Sequence, residues 1–197
     1  MSAWFKGLRG KLLLSAFLPL IAFAILTGLA VSTMNSLGGF LTDAYTKIIP
    51  NTEALGQITT ERASVGYFMW AAMGVKDPSQ NKDFIEKAQQ AFERFKTAQS
   101  DYEATTSGEE EAKNYAEVKA SKARFYELTD QMIHLLAENT PEADEKVMGF
   151  LNGGEWHKMS ISIRKSAQAN TKIYKEFAKA QNEIQMANEN KARNCCF

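Results

Sequence analysis

Apolar positions along this chain fall into one unbroken block and then a series of stripes. From Leu12 to Val31 sixteen of twenty residues are apolar, the exceptions being Ser15, Pro19, Thr27 and Gly28. A helix of that length rises roughly 30 Å, the thickness of a bilayer's hydrocarbon core, and it satisfies its own backbone while crossing. Beyond it the pattern changes to three- and four-residue steps. Leu55, Ile58, Val65, Met69 and Ala72 mark a first stripe, interrupted by Arg62, and Ile85, Ala88, Phe92, Phe95, Gln99 and Tyr102 mark a second. Val118, Ser121, Phe125, Leu128, Met132 and Leu135 form a third. The fourth runs through Trp156, Met159, Ile163, Ser166, Asn170, Ile173, Phe177, Ala180, Ile184 and Ala187. Stripes of this period predict helices packed in a left-handed bundle, and no alternating run suggests a sheet.

Breaks fall between the stripes. Asp77-Pro78-Ser79-Gln80-Asn81 joins a proline to several cap-forming side chains. Ser107 and Glu110 have capping-box spacing. Thr140-Pro141 closes the third segment and suits the first turn of a short one, 141–151, that ends at Gly153-Gly154. The apolar block also runs on helically through Leu37, Leu41 and Tyr45, where Gly38-Gly39 and Pro50 are candidate bends. The expected fold is all-α: an N-terminal transmembrane helix continuing into an up-down antiparallel four-helix bundle. The expected divisions are 1–34 for the cytoplasmic start and membrane helix, 35–190 for the bundle and 191–197 for a tail.

Charge orients this scheme. Lys6, Arg9 and Lys11 precede the apolar block, and no charged residue follows until Asp43. That asymmetry places the start in the cytoplasm and the bundle outside, single-pass in the inner membrane, with Trp4 and Phe5 at headgroup level. A cleaved signal peptide is the rival reading, since Gly28-Leu29-Ala30 offers a small-x-small site. The chain holds 23 basic and 23 acidic residues, so nothing basic enough for nucleic acid is present. Cys195 and Cys196 stand adjacent at the end and make neither a disulfide framework nor a zinc site, and two distant histidines add no metal site. No cofactor is implied. Glu109, Glu110, Glu111, Asp144 and Glu145 cluster at turns, where helix dipoles and solvent account for them, so no catalytic residues are assigned and an enzyme is not expected.

Three features carry candidate chemistry. Arg62, beside Thr59 and Thr60, fits either paired donation to a carboxylate ligand or a structural role, snorkelling or pairing with a glutamate of a neighbouring helix. Asn170 in the inward register of the fourth long helix reads best as a register-setting polar residue. Tyr67, Phe68, Met69 and Trp70 cannot all enter one core, so Tyr67, Phe68 and Trp70 are candidates for a homodimer interface. A continuous stripe alone would equally serve a structural or protein-binding bundle, anchored or secreted.

The layout resembles the amino-terminal part of bacterial methyl-accepting chemotaxis proteins with a four-helix-bundle sensor. The likeness rests on Trp4-Phe5 with Leu8-Arg9-Gly10-Lys11-Leu12, then Met34-Asn35, Leu41, Tyr45, Pro50, Leu55 and Arg62. Asp77-Pro78, Tyr102-Glu103 and Gly153-Gly154 continue it to about Ala187. The resemblance implies an extracytoplasmic dimer that binds a small molecule between subunits near the membrane-distal end and shifts its last helix in response. It also implies that arginines on the first and last bundle helices grip ligand carboxylates, which brings in Thr59, Arg62 and Arg164. Position 66 is glycine and position 69 methionine, so a full set of arginines on the first helix is missing. No second apolar span follows the fourth helix, and the signalling part is expected to be lacking.

Overall fold

A computed structural model describes residues 8–106 and 108–195. Trp4, Phe5, Lys6, Ser107 and Cys196 lie outside the described residues. Among those described there is no strand, and the order is α1 (Leu8–Asp43), a π-helical turn (Ala44–Ile48), α2 (Ile49–Gly74), α3 (Pro78–Thr105), α4 (Glu109–Glu138), α5 (Pro141–Leu151) and α6 (Glu155–Cys195). The chain divides into two compact units. One holds α1 to Ala44 with the end of α6 from Glu183, and the other spans Tyr45–Asn182.

In the first unit α1 has no polar face to bury. The helix that begins there contains a stretch of mean hydropathy 2.1, long and apolar enough to cross a membrane, with none of it buried. Two of its hydroxyls are satisfied within the helix, Thr33 donating to the Leu29 carbonyl and Thr42 to the Gly38 carbonyl, each at 2.9 Å. The backbone stays helical through Gly38-Gly39. The irregularity comes at Ala44–Ile48, just before Pro50. A proline lacks an N–H and crowds the carbonyl one turn back, and a widened π turn relieves that crowding without ending the helix.

The second unit is the bundle. Every apolar residue of the first and second stripes is buried, with Met69, Ala88, Phe95 and Tyr102 fully enclosed. Contacts fix the order around the core: Phe68 stacks on Phe84 between α2 and α3, Phe95 meets Phe125 between α3 and α4, and Phe125 stacks on Trp156 between α4 and α6. Arg62 reaches Ser160 to close the ring between α6 and α2. Each neighbour runs antiparallel, as short connections demand. Ser121 and Leu135 of the third stripe are only partly buried, and Leu136 takes the inward place. The fourth stripe is buried as far as Asn170 except at Met159, which is partly buried; Ile173 is half-buried and Phe177 is 41% exposed, while Tyr174 turns inward.

Caps explain the ends. The Asp77 carboxylate accepts from the Ser79 N–H at 2.8 Å, and the Thr140 hydroxyl accepts from the Ala143 N–H at 3.2 Å, each with proline at the first turn. At α4 the capping residue is Gly108, and the Glu111 carboxylate, not that of Glu110, takes the Gly108 N–H at 3.2 Å. The two glycines before α6 have different reasons. Gly153 sits at φ +83°, in the left-handed region, and a Cβ on Gly154 would lie 2.3 Å from the Gly149 carbonyl. Val147 and Leu151 of α5 join the core of the bundle.

Candidate functional site

Where α2 faces α6, the register can be followed turn by turn. Gly66 lies over Trp156, Arg62 meets Ser160, and Asn51 meets Tyr174. A Cβ at Gly66 would stand 3.3 Å from the Trp156 ring, so the absent side chain admits the indole. That indole donates to the Thr129 hydroxyl at 2.9 Å.

One turn further, the Arg62 guanidinium donates from Nη1 to the Ser160 hydroxyl at 2.5 Å. Its Nε is buried without a hydrogen-bond partner, and among the described residues no carboxylate pairs with it. Burial first, and then the neighbouring charge of Arg164, pull its pKa below the usual arginine value, though it stays ionised. Arg164 itself is exposed. Two cations are thus held close with no acid between them, which is the arrangement an anion would relieve. The alternative pairing of Arg62 with a glutamate is not formed; the glutamate one position earlier, Glu61, is taken by Arg94 at 2.9 Å.

Past Arg62 the two helices border an open groove of about 600 Å³. α2 contributes Thr52, Gly56 and Thr59, and α6 contributes Gln168, Lys172 and Lys175. Thr59 gives its hydroxyl proton to the Leu55 carbonyl at 3.0 Å, leaving its lone pairs outward.

Beside this groove a polar layer crosses all four long helices. Asn170, fully enclosed, donates to the Tyr102 hydroxyl at 2.6 Å and to the Glu111 carbonyl at 3.2 Å, and accepts from Asn114 at 2.9 Å. The Glu111 carboxylate, only 7% exposed, accepts from Tyr102 and from Tyr174. Asn51 donates to Tyr174 and accepts from Thr105. Burial pushes the Tyr102 hydroxyl up to about 12, and burial first, then the Glu111 hydrogen bond, raises Tyr174. Glu111 is therefore not a solvated turn acid but the centre of this layer.

A family model described as a four helix bundle sensory module for signal transduction matches residues 7–187. The chain belongs to that family, the sensory bundles of methyl-accepting chemotaxis proteins. No curated protein and no solved structure matches it.

In this sensory module Thr59, Arg62 and Arg164 all lie along the α2–α6 face, Thr59 in the groove and the arginines beside it. The aromatic candidates divide. Tyr67 is 65% and Trp70 46% exposed, whereas Phe68 is partly buried against Phe84. Sequence reasoning passed over Asn51 and Tyr174, although Asn51 precedes Leu55 by four and Tyr174 follows Asn170 by four, and it read Glu111 as a turn acid. It also passed over Gly56, Lys172 and Lys175, which look from the sequence like an ordinary glycine and solvated lysines. Among the described residues no group of three or more His, Cys, Asp or Glu converges on a metal position.

Proposed function

We propose that this sensory module is the membrane-anchored, extracytoplasmic ligand-sensing part of a chemoreceptor and that its ligand is a small anion held on the α2–α6 face. The observation that carries the reading is Arg62: half-buried between two helices, beside Arg164, with Nε unsatisfied and no acid partner. A guanidinium kept at such a place for structure alone normally finds a carboxylate, because a buried donor left unsatisfied costs about 1–3 kcal/mol. Thr59 and Arg164 would complete the grip on a carboxylate, and the module acts by binding rather than by catalysis.

The anchor reading is supported by the unburied apolar stretch beginning in α1 and by the basic start of the chain. It places the bundle outside the cytoplasmic membrane. Protease added to spheroplasts should digest the bundle; protection of the bundle would contradict that placement.

Ligand sensing is tested by thermal melting of the full chain in detergent against amino acids, organic acids, amines and neutral metabolites. A true ligand raises the melting temperature by mass action once its concentration exceeds its dissociation constant. Arg62→Ala should abolish the shift while helicity is unchanged. A broad screen with no hit would favour a purely structural bundle, and a hit that stabilises both forms equally would acquit Arg62.

A further inference from the structure

We propose that a second groove, between the first turns of α3 and the last turn of α4, binds a small primary amine with a short apolar body. It lies on other helices than the α2–α6 face and stands or falls independently of the anion reading.

The groove offers about 420 Å³, inside the range of roughly 300–1,000 Å³ for small-molecule sites. Asn81 is the first observation, because it lines the groove while only 5% exposed. Its amide nitrogen is committed to the Ala72 carbonyl, the end of α2, at 3.1 Å. Its Oδ1 has no donor among the described residues. The polar side-chain atoms sealed without a partner are Arg62 Nε and Ser166 Oγ, so Asn81 Oδ1 keeps access to the groove. A hydrogen-bond acceptor held rigidly at the wall of a groove calls for a donor from outside the chain.

Charge says what kind of donor. From Phe125 to Glu145 the chain carries six acids and no lysine or arginine. The last turn of α4 has no basic side chain, although the free carbonyls at a helix C-terminus favour a cation there. Asn139, the residue that caps α4, borders the groove, and Glu86 faces it from α3. The one cation in the lining is Lys82, which stands 3.8 Å from Glu86, with side chains 79% and 54% exposed. That distance is too long for a hydrogen bond, and an exposed pair one turn apart is worth only about 0.3–0.5 kcal/mol. A ligand ammonium can therefore take the place of Lys82 at Glu86 and give a second N–H to Asn81 Oδ1. Ile85 and Ala137 supply an apolar patch for a short hydrocarbon body.

The test is titration calorimetry on the full chain in non-ionic detergent at low ionic strength. Butylamine is the probe, with butyrate, butyramide and butyltrimethylammonium as controls. Butylamine should bind, whereas butyrate and butyramide lack the charge and the quaternary ammonium lacks the N–H. Glu86→Gln should weaken butylamine at least about threefold, and Lys82→Gln, which removes the competing cation, should tighten it. Ala137→Phe, at an exposed position of α4, fills the groove and should abolish binding. Circular dichroism should show all three variants as helical as the parent, and Arg62→Ala should keep affinity within about twofold. The proposal is overturned if butylamine does not bind, or if Glu86→Gln and Ala137→Phe bind it as tightly as the parent. It is equally overturned if the quaternary ammonium binds as well as the amine, or if Lys82→Gln weakens binding, which would make Lys82 a ligand contact. Failure here leaves the anion reading intact, because that reading is scored on Arg62.

Discussion

At the scale of single residues, the distinction that matters is between polar groups that are satisfied inside the bundle and those left waiting. Asn170 belongs to the first kind, with three hydrogen bonds to α3 and α4. Asn170→Ala would take a partner from the Tyr102 hydroxyl, the Glu111 carbonyl and the Asn114 amide, and should destabilise the bundle by roughly 1–3 kcal/mol. Urea titration would show it, and an unchanged midpoint would mean that the layer does not hold α6 in register. The tyrosines of the layer add a pH signature. In the unfolded chain the Tyr102 hydroxyl ionises near 10.0, whereas in the fold burial holds it to about 12. Its contribution is therefore intact below pH 10 and lost as pH rises toward 12, with Tyr115, Tyr126 and Tyr174 acting in the same sense. Melting temperature should be flat at neutral pH and fall above pH 10, with the tyrosinate absorbance of these four rings appearing as the protein unfolds. Asn170 was legible from its register alone. Glu111 was not, because three consecutive glutamates at a helix start look like dipole acids, and only the α3–α4 packing turns one of them inward.

At the scale of helices, the stripes were legible because a period near 3.6 has one physical meaning, a face turned to a core. The short α5 was equally legible, since Thr140-Pro141 and Gly153-Gly154 bracket it. Thr140→Ala removes the hydroxyl that accepts from the Ala143 N–H, and should cost about 1 kcal/mol by urea titration, most of it recovered by Thr140→Ser. Full stability in the alanine form would show that Pro141 alone sets the start. What periodicity could not reveal is where partners run out. Phe177 keeps step with the fourth stripe yet is exposed, because α3 ends at Thr105 and α4 begins at Glu109, opposite Tyr174. The π turn ahead of Pro50 was likewise visible only as a place for a bend; its widened form follows from crowding that sequence spacing does not display.

At the scale of the whole molecule, the account joins an apolar anchor, a bundle and a cationic face on one pair of helices. The exposed Tyr67 and Trp70 rings on α2 are the surface through which we expect two copies to associate. Sedimentation of the full chain in detergent should give a dimer at micromolar concentration, weakened by Tyr67→Ser with Trp70→Ser; a monomer throughout would leave those rings without a role. The central claim is that a small anion is recognised along α2 and α6. Hydrogen–deuterium exchange of the full chain, with and without the anion found by thermal melting, tests it most directly. The account predicts added protection in α2 from Thr52 to Gly66 and in α6 from Trp156 to Lys175, with α3 unchanged. Protection confined to α3 and α4, or no change at saturating ligand, would contradict it.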